Sequence, residues 1–336
     1  MANYIGIDVG SVSTKLVVIN DQSEILFDTY LRTEGGPIHA IQRAFKDLYS
    51  NLDGGSLQIE GVATTGSGRR LAGIMVGADV QKNEITAHAA AAKFVCPDVR
   101  TVIDIGGQDS KIIYMKDGVS SGFNMNSVCA AGTGSFLDHQ ATRLGIPIEQ
   151  FGEYALKSTS PVRIAGRCGV FAESDLIHKQ QMGYRKEDLI AGLCLALVRN
   201  YLTNIARGKK IMPSVLFQGG VAANSGLKAA FEKLLGIEII VPEHFKVMGA
   251  LGAALIAKRH SKTIGAPTSF KGSEIATFDC TPRTFICADC ANQCEVNELY
   301  IEGEVASRWG SKCAKWENLG LSSSDRSVEL ESPLAG

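Results

Sequence analysis

Two stretches of this chain combine residues able to hold a phosphate and a divalent cation: Ile7-Asp8-Val9-Gly10-Ser11-Val12-Ser13-Thr14-Lys15 and Ile103-Asp104-Ile105-Gly106-Gly107-Gln108-Asp109-Ser110-Lys111. Each has an aspartate, a glycine turn with small polar residues, and then a lysine. Glycine lets the backbone approach an anion closely, so N–H groups and hydroxyls at the turn can bond phosphate oxygens. The aspartate can hold Mg2+ through water. One Asp-Val-Gly alone would be an ordinary turn. Two in matched order imply two similar lobes, each with a turn for phosphate and with Asp8 or Asp104 able to hold the metal. Gly10, Ser11, Ser13 and Lys15 form the first phosphate element, and Gly106, Gly107 and Asp109 belong to the second.

Apolar runs place these turns. Tyr4 to Ile7 and Thr101 to Ile103 read as buried strands, and Leu16 to Ile19 and Ile112 to Met115 as their return strands, so each motif is the tip of a β-hairpin. A third glycine element, Val215-Leu216-Phe217-Gln218-Gly219-Gly220, runs from a strand into a turn that can lie flat against a nucleoside, with Asn224 opening a helix through Leu235. Gly249-Ala250-Leu251-Gly252-Ala253-Ala254 predicts a helix of small residues able to pack very closely. In order, these elements resemble the actin, sugar kinase and heat-shock chaperone ATPase superfamily. That resemblance implies an α/β fold of two ribonuclease H-like lobes with ATP or ADP between them. Lobe I is then residues 1–97, closed by a helix at about 247–258, and lobe II is residues 98–246.

Nine cysteines in a chain of net charge −1 are not the pattern of a disulfide framework when no secretory leader is expected. The sequence enters a strand at once, and its longest apolar runs, 189–198 and 247–257, are too short to span a bilayer. With a pI near 6.6 and no extended basic run, neither nucleic acid nor membrane is an expected partner. A cytoplasmic protein fits. Cys96 and Cys194 read as small buried hydrophobes, and Cys280 is ambiguous. Cys129 and Cys168 differ, because each stands beside small residues at the start of a helix, one stopped by Gly145 and the other by Gly183. Helix N-termini favour thiolates. Two such thiolates per chain would make four across a two-fold homodimer and suit a [4Fe-4S] cluster, or they are two unrelated buried cysteines.

The segments Asn124-Met125-Asn126-Ser127-Val128-Cys129-Ala130-Ala131-Gly132-Thr133-Gly134-Ser135-Phe136-Leu137-Asp138 and Arg167-Cys168-Gly169-Val170-Phe171-Ala172-Glu173-Ser174-Asp175 resemble the activators of 2-hydroxyacyl-CoA dehydratases. ATPase subunits of benzoyl-CoA reductases belong to the same family. The resemblance implies a homodimer with Cys129 and Cys168 of each chain holding one bridging [4Fe-4S] cluster. Ferredoxin or flavodoxin would supply the electron, and ATP hydrolysis, with Gln108 orienting the attacking water, would drive it to an iron–sulfur dehydratase or reductase, or to a related protein with a double-cubane cluster. Gly132, Thr133 and Gly134 would then touch the phosphates, while Gly219, Gly220 and Asn224 match the adenosine turn. A small-molecule kinase of the same fold is the competing reading; Asp138 or Glu173 would have to serve as its base.

Residues 261–336 lie beyond that resemblance. Ser261 to Gly272 is polar and patternless and predicts a linker. Cys287, Cys290, Cys294 and Cys313 follow in a C-x2-C-x3-C-x18-C spacing around an expected hairpin, Glu295 to Ile301 and Val305 to Trp309. That spacing suits Zn2+ or a second iron–sulfur cluster, with free thiols as the plain alternative. The Ser-rich tail after Leu319 is expected to be mobile.

Overall fold

The computed structural model describes residues 2–52, 57–126, 132–166 and 168–317. Cys129 and the tail after Leu319 lie outside these residues. The chain opens with β1 (Ala2–Val9), β2 (Ser13–Asn20), β3 (Ile25–Arg32), α1 (Pro37–Asn51), β4 (Gln58–Thr65), α2 (Arg69–Val76), β5 (Val80–Gln81) and α3 (Glu84–Val95). The five strands form one sheet in the order β3-β2-β1-β4-β5, with β1 antiparallel to β2 and parallel to β4.

The next stretch builds the same sheet again. It comprises β6 (Thr101–Ile105), β7 (Ser110–Lys116), β8 (Val119–Asn126), α4 (Gly134–Leu144), α5 (Phe151–Leu156), α6 (Gly169–Gln181), α7 (Lys186–Asn204), β9 (Val215–Gln218), α8 (Ser225–Leu235), β10 (Ile239–Ile240) and α9 (Met248–Ile264). The order β8-β7-β6-β9-β10 repeats that of the first sheet, antiparallel on one side of β6 and parallel on the other. The central strands β1 and β6 are buried on both faces, as their unbroken apolar runs require. The outer strands β3 and β8 alternate between more and less exposed residues along their length.

Between the sheets lie α3 and α9, sharing a core with Val17, Val102, Ile113 and Leu216. The helix α9 runs so close to β1 that a Cβ on Gly6 would stand 1.9 Å from the Ala250 carbonyl oxygen, which only glycine permits. The far face of the second sheet is covered by α4 to α8, and that of the first by α1 and α2. Gly145 and Gly183 adopt left-handed φ values of 66° and 83° at the C-terminal ends of α4 and α6, where the sequence placed the stops. No helix among the described residues is long and apolar enough to cross a membrane.

A third sheet of three antiparallel strands, β11 (Cys280–Ile286), β12 (Glu295–Ile301) and β13 (Glu304–Trp309), follows α9. The stretch before it, expected as a linker, is fastened to the first lobe. Asp79 accepts from Thr268 Oγ1 at 2.7 Å and from the Ser269 N–H at 2.8 Å, and Phe270 meets Phe45 with ring centroids 5.9 Å apart. Ile275 and Leu299, both fully buried, complete the core over α1. Each such side chain contributes about 1.5–3 kcal/mol by leaving water. Polarity suggested a linker because the anchoring contacts are long-range and leave no local pattern.

Candidate functional site

The two hairpin tips are built alike. Asp8 pairs across the ladder with Lys15, and Asp104 with Lys111. Each turn is closed by the same bond, Gly10 N–H to the Ser13 carbonyl and Gly106 N–H to the Asp109 carbonyl, both 2.9 Å. The tips meet across a cleft: Ser11 Oγ donates to Gln108 Oε1 at 2.6 Å, and a Cβ on Gly107 would stand 2.8 Å from Val12 Cγ1.

The cleft has a volume of about 210 Å3 and is lined by both tips, Glu84 and His88 of α3, Tyr30, Gly219, Gly220 and Lys246. Of the expected site residues, Asp8, Gly10, Ser11, Ser13, Lys15, Asp104, Gly106, Gly107, Gln108, Asp109, Gly219 and Gly220 all line it. Gly219 has φ 86°, and a Cβ there would stand 2.4 Å from the Ile105 carbonyl oxygen, so the turn reaches the cleft only as glycine. A larger open cavity of about 810 Å3 lies elsewhere, lined by Lys93, Arg100, Lys116, Asp98, Asp117 and Glu238 among others. It includes neither hairpin tip, whereas the smaller cleft is lined by both.

Charge at the floor of the cleft is concentrated and buried. Lys15 Nζ lies 3.0 Å from Asp8. Lys111 Nζ lies 2.9 Å from Asp109, 3.3 Å from Glu84 and 3.5 Å from Asp104. Burial alone would favour neutral lysines, but the carboxylates prevail and raise both pKa values. For Asp104, burial acts upward, yet His88, Lys111 and Lys15, with a hydrogen bond from Gln218, hold its carboxyl below the usual range. The carboxylates are hard oxygen donors of the kind Mg2+ takes, although among the described residues no three of them are arranged to hold a metal ion directly.

Glu84 and His88 were not anticipated from the sequence. They stand one turn apart on α3, whose N-cap Asn83 accepts from Thr86 N–H. From there Glu84 reaches Lys111, and His88 Nε2 lies 3.8 Å from Asp104. His88 Nδ1 is held 2.6 Å from Gln218 Nε2. Two polar side chains at this spacing in an alanine-rich buried helix were the available signal.

Three expected phosphate contacts, Gly132, Thr133 and Gly134, sit behind the second tip instead of lining the cleft. Gly134 N–H donates to the Gly106 carbonyl at 2.8 Å, Ser135 N–H to the Gly107 carbonyl at 2.9 Å, and Ser110 Oγ to the Gly132 carbonyl at 2.5 Å. Asn224, expected at the adenosine, is the N-cap of α8 and accepts from Leu227 N–H at 3.1 Å. It does not line the cleft, because that cap turns its side chain toward the helix. Cys168 is the N-cap of the 13-residue helix α6, where free N–H groups suit a thiolate. Beside it Val170 and Phe171 are 70% and 67% exposed. Cys129 lies outside the described residues.

Cys287, Cys290, Cys294 and Cys313 lie at one end of the third sheet. Cys287 N–H donates to the Cys294 carbonyl at 2.9 Å. Sulfur atoms there accept from N–H donors: Cys287 from the Trp316 indole at 3.3 Å, Cys294 from the Lys312 backbone at 3.5 Å and Cys290 from Asn292 at 3.7 Å. Among the described residues, no three His, Cys, Asp or Glu side chains are arranged to hold a metal ion. Of these four cysteines, whose spacing suits a metal or free thiols, Cys290 and Cys313 stand exposed.

Residues 5–257 match the BadF/BadG/BcrA/BcrD ATPase family. The chain belongs to that family. This ATPase is 38% identical to the (R)-2-hydroxyglutaryl-CoA dehydratase activating ATPase of Acidaminococcus fermentans, over 75% of this chain and 96% of that one. It is 36% identical to the activator of lactoyl-CoA dehydratase of Anaerotignum propionicum, over 75% and 96% of the two chains. Among solved structures, the ATPase is similar to the activator of the 2-hydroxyisocaproyl-CoA dehydratase from Clostridium difficile with bound ADPNP. The TM-score is 0.71 and the identity 33%, covering 78% of this chain and 96% of that one. The resemblance read from the cysteine motifs and the two-lobed α/β fold are both borne out.

Proposed function

We propose that this ATPase is a reductive activator. As a homodimer it would hydrolyse MgATP in the inter-lobe cleft and so deliver a low-potential electron to an iron–sulfur dehydratase or reductase. Ferredoxin or flavodoxin would be its donor. The observation that carries the reading is the seating of α4: its first N–H groups bond the carbonyls of Gly106 and Gly107, at the tip that would face the phosphates. The cysteine motif thus continues into a helix seated on the back of the tip that would hold the phosphates. A kinase would have no use for that wiring, whereas an activator needs hydrolysis felt at its redox centre.

The cleft's own residues define the hydrolytic step. Backbone N–H groups of the two turns would hold the phosphates, Lys15 and Lys111 would face their charge, and Gln108 would orient water once freed from Ser11. Bound Mg2+ would neutralise phosphate charge as the γ-phosphoryl bond breaks and water becomes part of inorganic phosphate. At about 210 Å3 the cleft is below the roughly 300–1,000 Å3 usual for ligand sites. The Ser11–Gln108 and Gly107–Val12 contacts must therefore part for nucleotide to enter. Cys168, with Cys129, would hold half of the bridging [4Fe-4S] cluster, whose role is to carry one electron at a time.

Iron per dimer, measured after anaerobic purification, tests this reading. About four irons are expected in the wild type, falling well below that in Cys168→Ser while nucleotide affinity stays within about twofold, because the cysteine does not line the cleft. A colourless protein that phosphorylates a small molecule would establish the kinase reading instead.

A further inference from the structure

A run of hydrogen bonds, buried at its hairpin end, joins the second hairpin to the Cys168 segment. At the hairpin end is Lys111, whose ammonium faces Asp104, Asp109 and Glu84. Its backbone carbonyl accepts from the hydroxyl of Tyr201 at 2.6 Å. Tyr201 belongs to α7 and is fully buried, edge-on to Phe231 with ring centroids 5.4 Å apart. Its neighbour Asn200, also buried, donates from Nδ2 to the Gly166 carbonyl at 2.6 Å. Gly166 lies flat on α7, where a Cβ would stand 2.6 Å from the Ala196 carbonyl oxygen. Next to it, Ala165 N–H donates to Asp175 of α6 at 2.9 Å, and Cys168 caps that helix.

The Tyr201–Lys111 joint is buried, so breaking it strands a polar group away from water, whereas the Asn200–Gly166 joint is part-buried and the Ala165–Asp175 joint lies at the surface. A tyrosine in a core position whose ring already packs on phenylalanine needs its hydroxyl only for the Lys111 carbonyl. When β7 shifts, that carbonyl carries Tyr201 with it. Through the same helix, Asn200 carries Gly166. Asn200 Oδ1 also lies 3.9 Å from where a Cβ on Gly132 would stand, so this one side chain lies between the segments leading to both expected cluster cysteines.

We propose that Tyr201 and Asn200 are positioning residues that transmit the nucleotide state of the second hairpin to the Cys168 segment. What Cys168 holds rests on the activator reading above; the mechanical link does not. Neither residue touches the cleft.

The test is the alkylation rate of Cys168 in the full chain, followed by peptide mass spectrometry, without nucleotide and with saturating ADP-aluminium fluoride. In the wild type the two rates should differ by at least about fivefold, the lower end of ordinary coupling between sites. In Tyr201→Phe the ratio should fall below about twofold, while nucleotide affinity remains close to wild type and the melting transition drops only by the few degrees that losing one buried hydrogen bond costs. Asn200→Ala should act in the same direction, and Tyr201→Phe combined with Asn200→Ala should add little, since both interrupt one path. A wild-type ratio near one overturns the proposal, as does a full ratio retained in Tyr201→Phe. Loss of nucleotide affinity with the ratio intact at saturation would also overturn it, making Tyr201 a support for the cleft alone. Protein that never binds iron but shows the expected alkylation ratios would defeat the activator reading and leave this link standing.

Discussion

The two phosphate hairpins have the same ladder register and the same closing bond, yet their surroundings differ. In the first, Asp8 is the one carboxylate among the described residues within ion-pairing distance of Lys15, and the tip is tied back to its own lobe: Thr33 Oγ1 donates to the Gly10 carbonyl at 2.9 Å and lies 3.0 Å from Thr14 Oγ1. In the second, Lys111 is shared by three carboxylates, α4 sits on the tip carbonyls, and Tyr201 grips the strand. Repetition supplies a shape that holds an anion. On the proposed reading, what each copy does with that anion would depend on its neighbours: the first would hold, and the second would hold and pass the event on.

The largest expected effect is on hydrolysis. Asp104→Ala should lower ATPase turnover by about a hundredfold, the scale of losing one group that stabilises a phosphoryl-transfer transition state. Wild-type turnover in that variant would remove the second hairpin from the chemistry.

Removing the lysines compares the copies directly. Lys111→Met leaves Asp104, Asp109 and Glu84 facing one another, at a cost of about 3–5 kcal/mol for an uncompensated buried charge. Lys15→Met strands only Asp8 and should cost less. Thermal unfolding of both variants decides the point, and a larger loss in Lys15→Met would reverse the comparison.

The smallest effect separates holding from passing on. Ser110 and Thr14 occupy equivalent positions, but Ser110 bonds the Gly132 carbonyl and Thr14 bonds Thr33 within its lobe. Each substitution by alanine should cost about 1 kcal/mol of stability. Only Ser110→Ala should speed iron loss to a chelator, by a few fold. Equal chelation rates in the two variants would erase the distinction between the hairpins.

The hairpins were legible because their signals are local: a glycine turn between apolar runs fixes the register, and register alone sets Asp104 opposite Lys111. The helix stops at Gly145 and Gly183 were legible for the same reason. Glu84 and His88 were not, since their partners come from another sheet and only packing of α3 between the lobes brings them near. Asn224 was readable as a helix cap from its place before Ser225-Gly226-Leu227, but the adjacent glycine turn drew the assignment toward the nucleoside. The path through Tyr201 left no trace in the sequence, because a tyrosine in an apolar helix reads as core and its hydroxyl bonds a backbone group that every residue has.

The clasp of Asp79 on Thr268 and Ser269 has a consequence for how the molecule comes apart. Phe270, Ile275 and Leu299 share one core with Phe45 and Ile41 of α1, so the third sheet and the first lobe should open as a single cooperative unit. Their slowest amide protons would then exchange with one common free energy. Cleavage after Gly265 would leave the outer face of α1 bare, and the freed ATPase module would be prone to self-association.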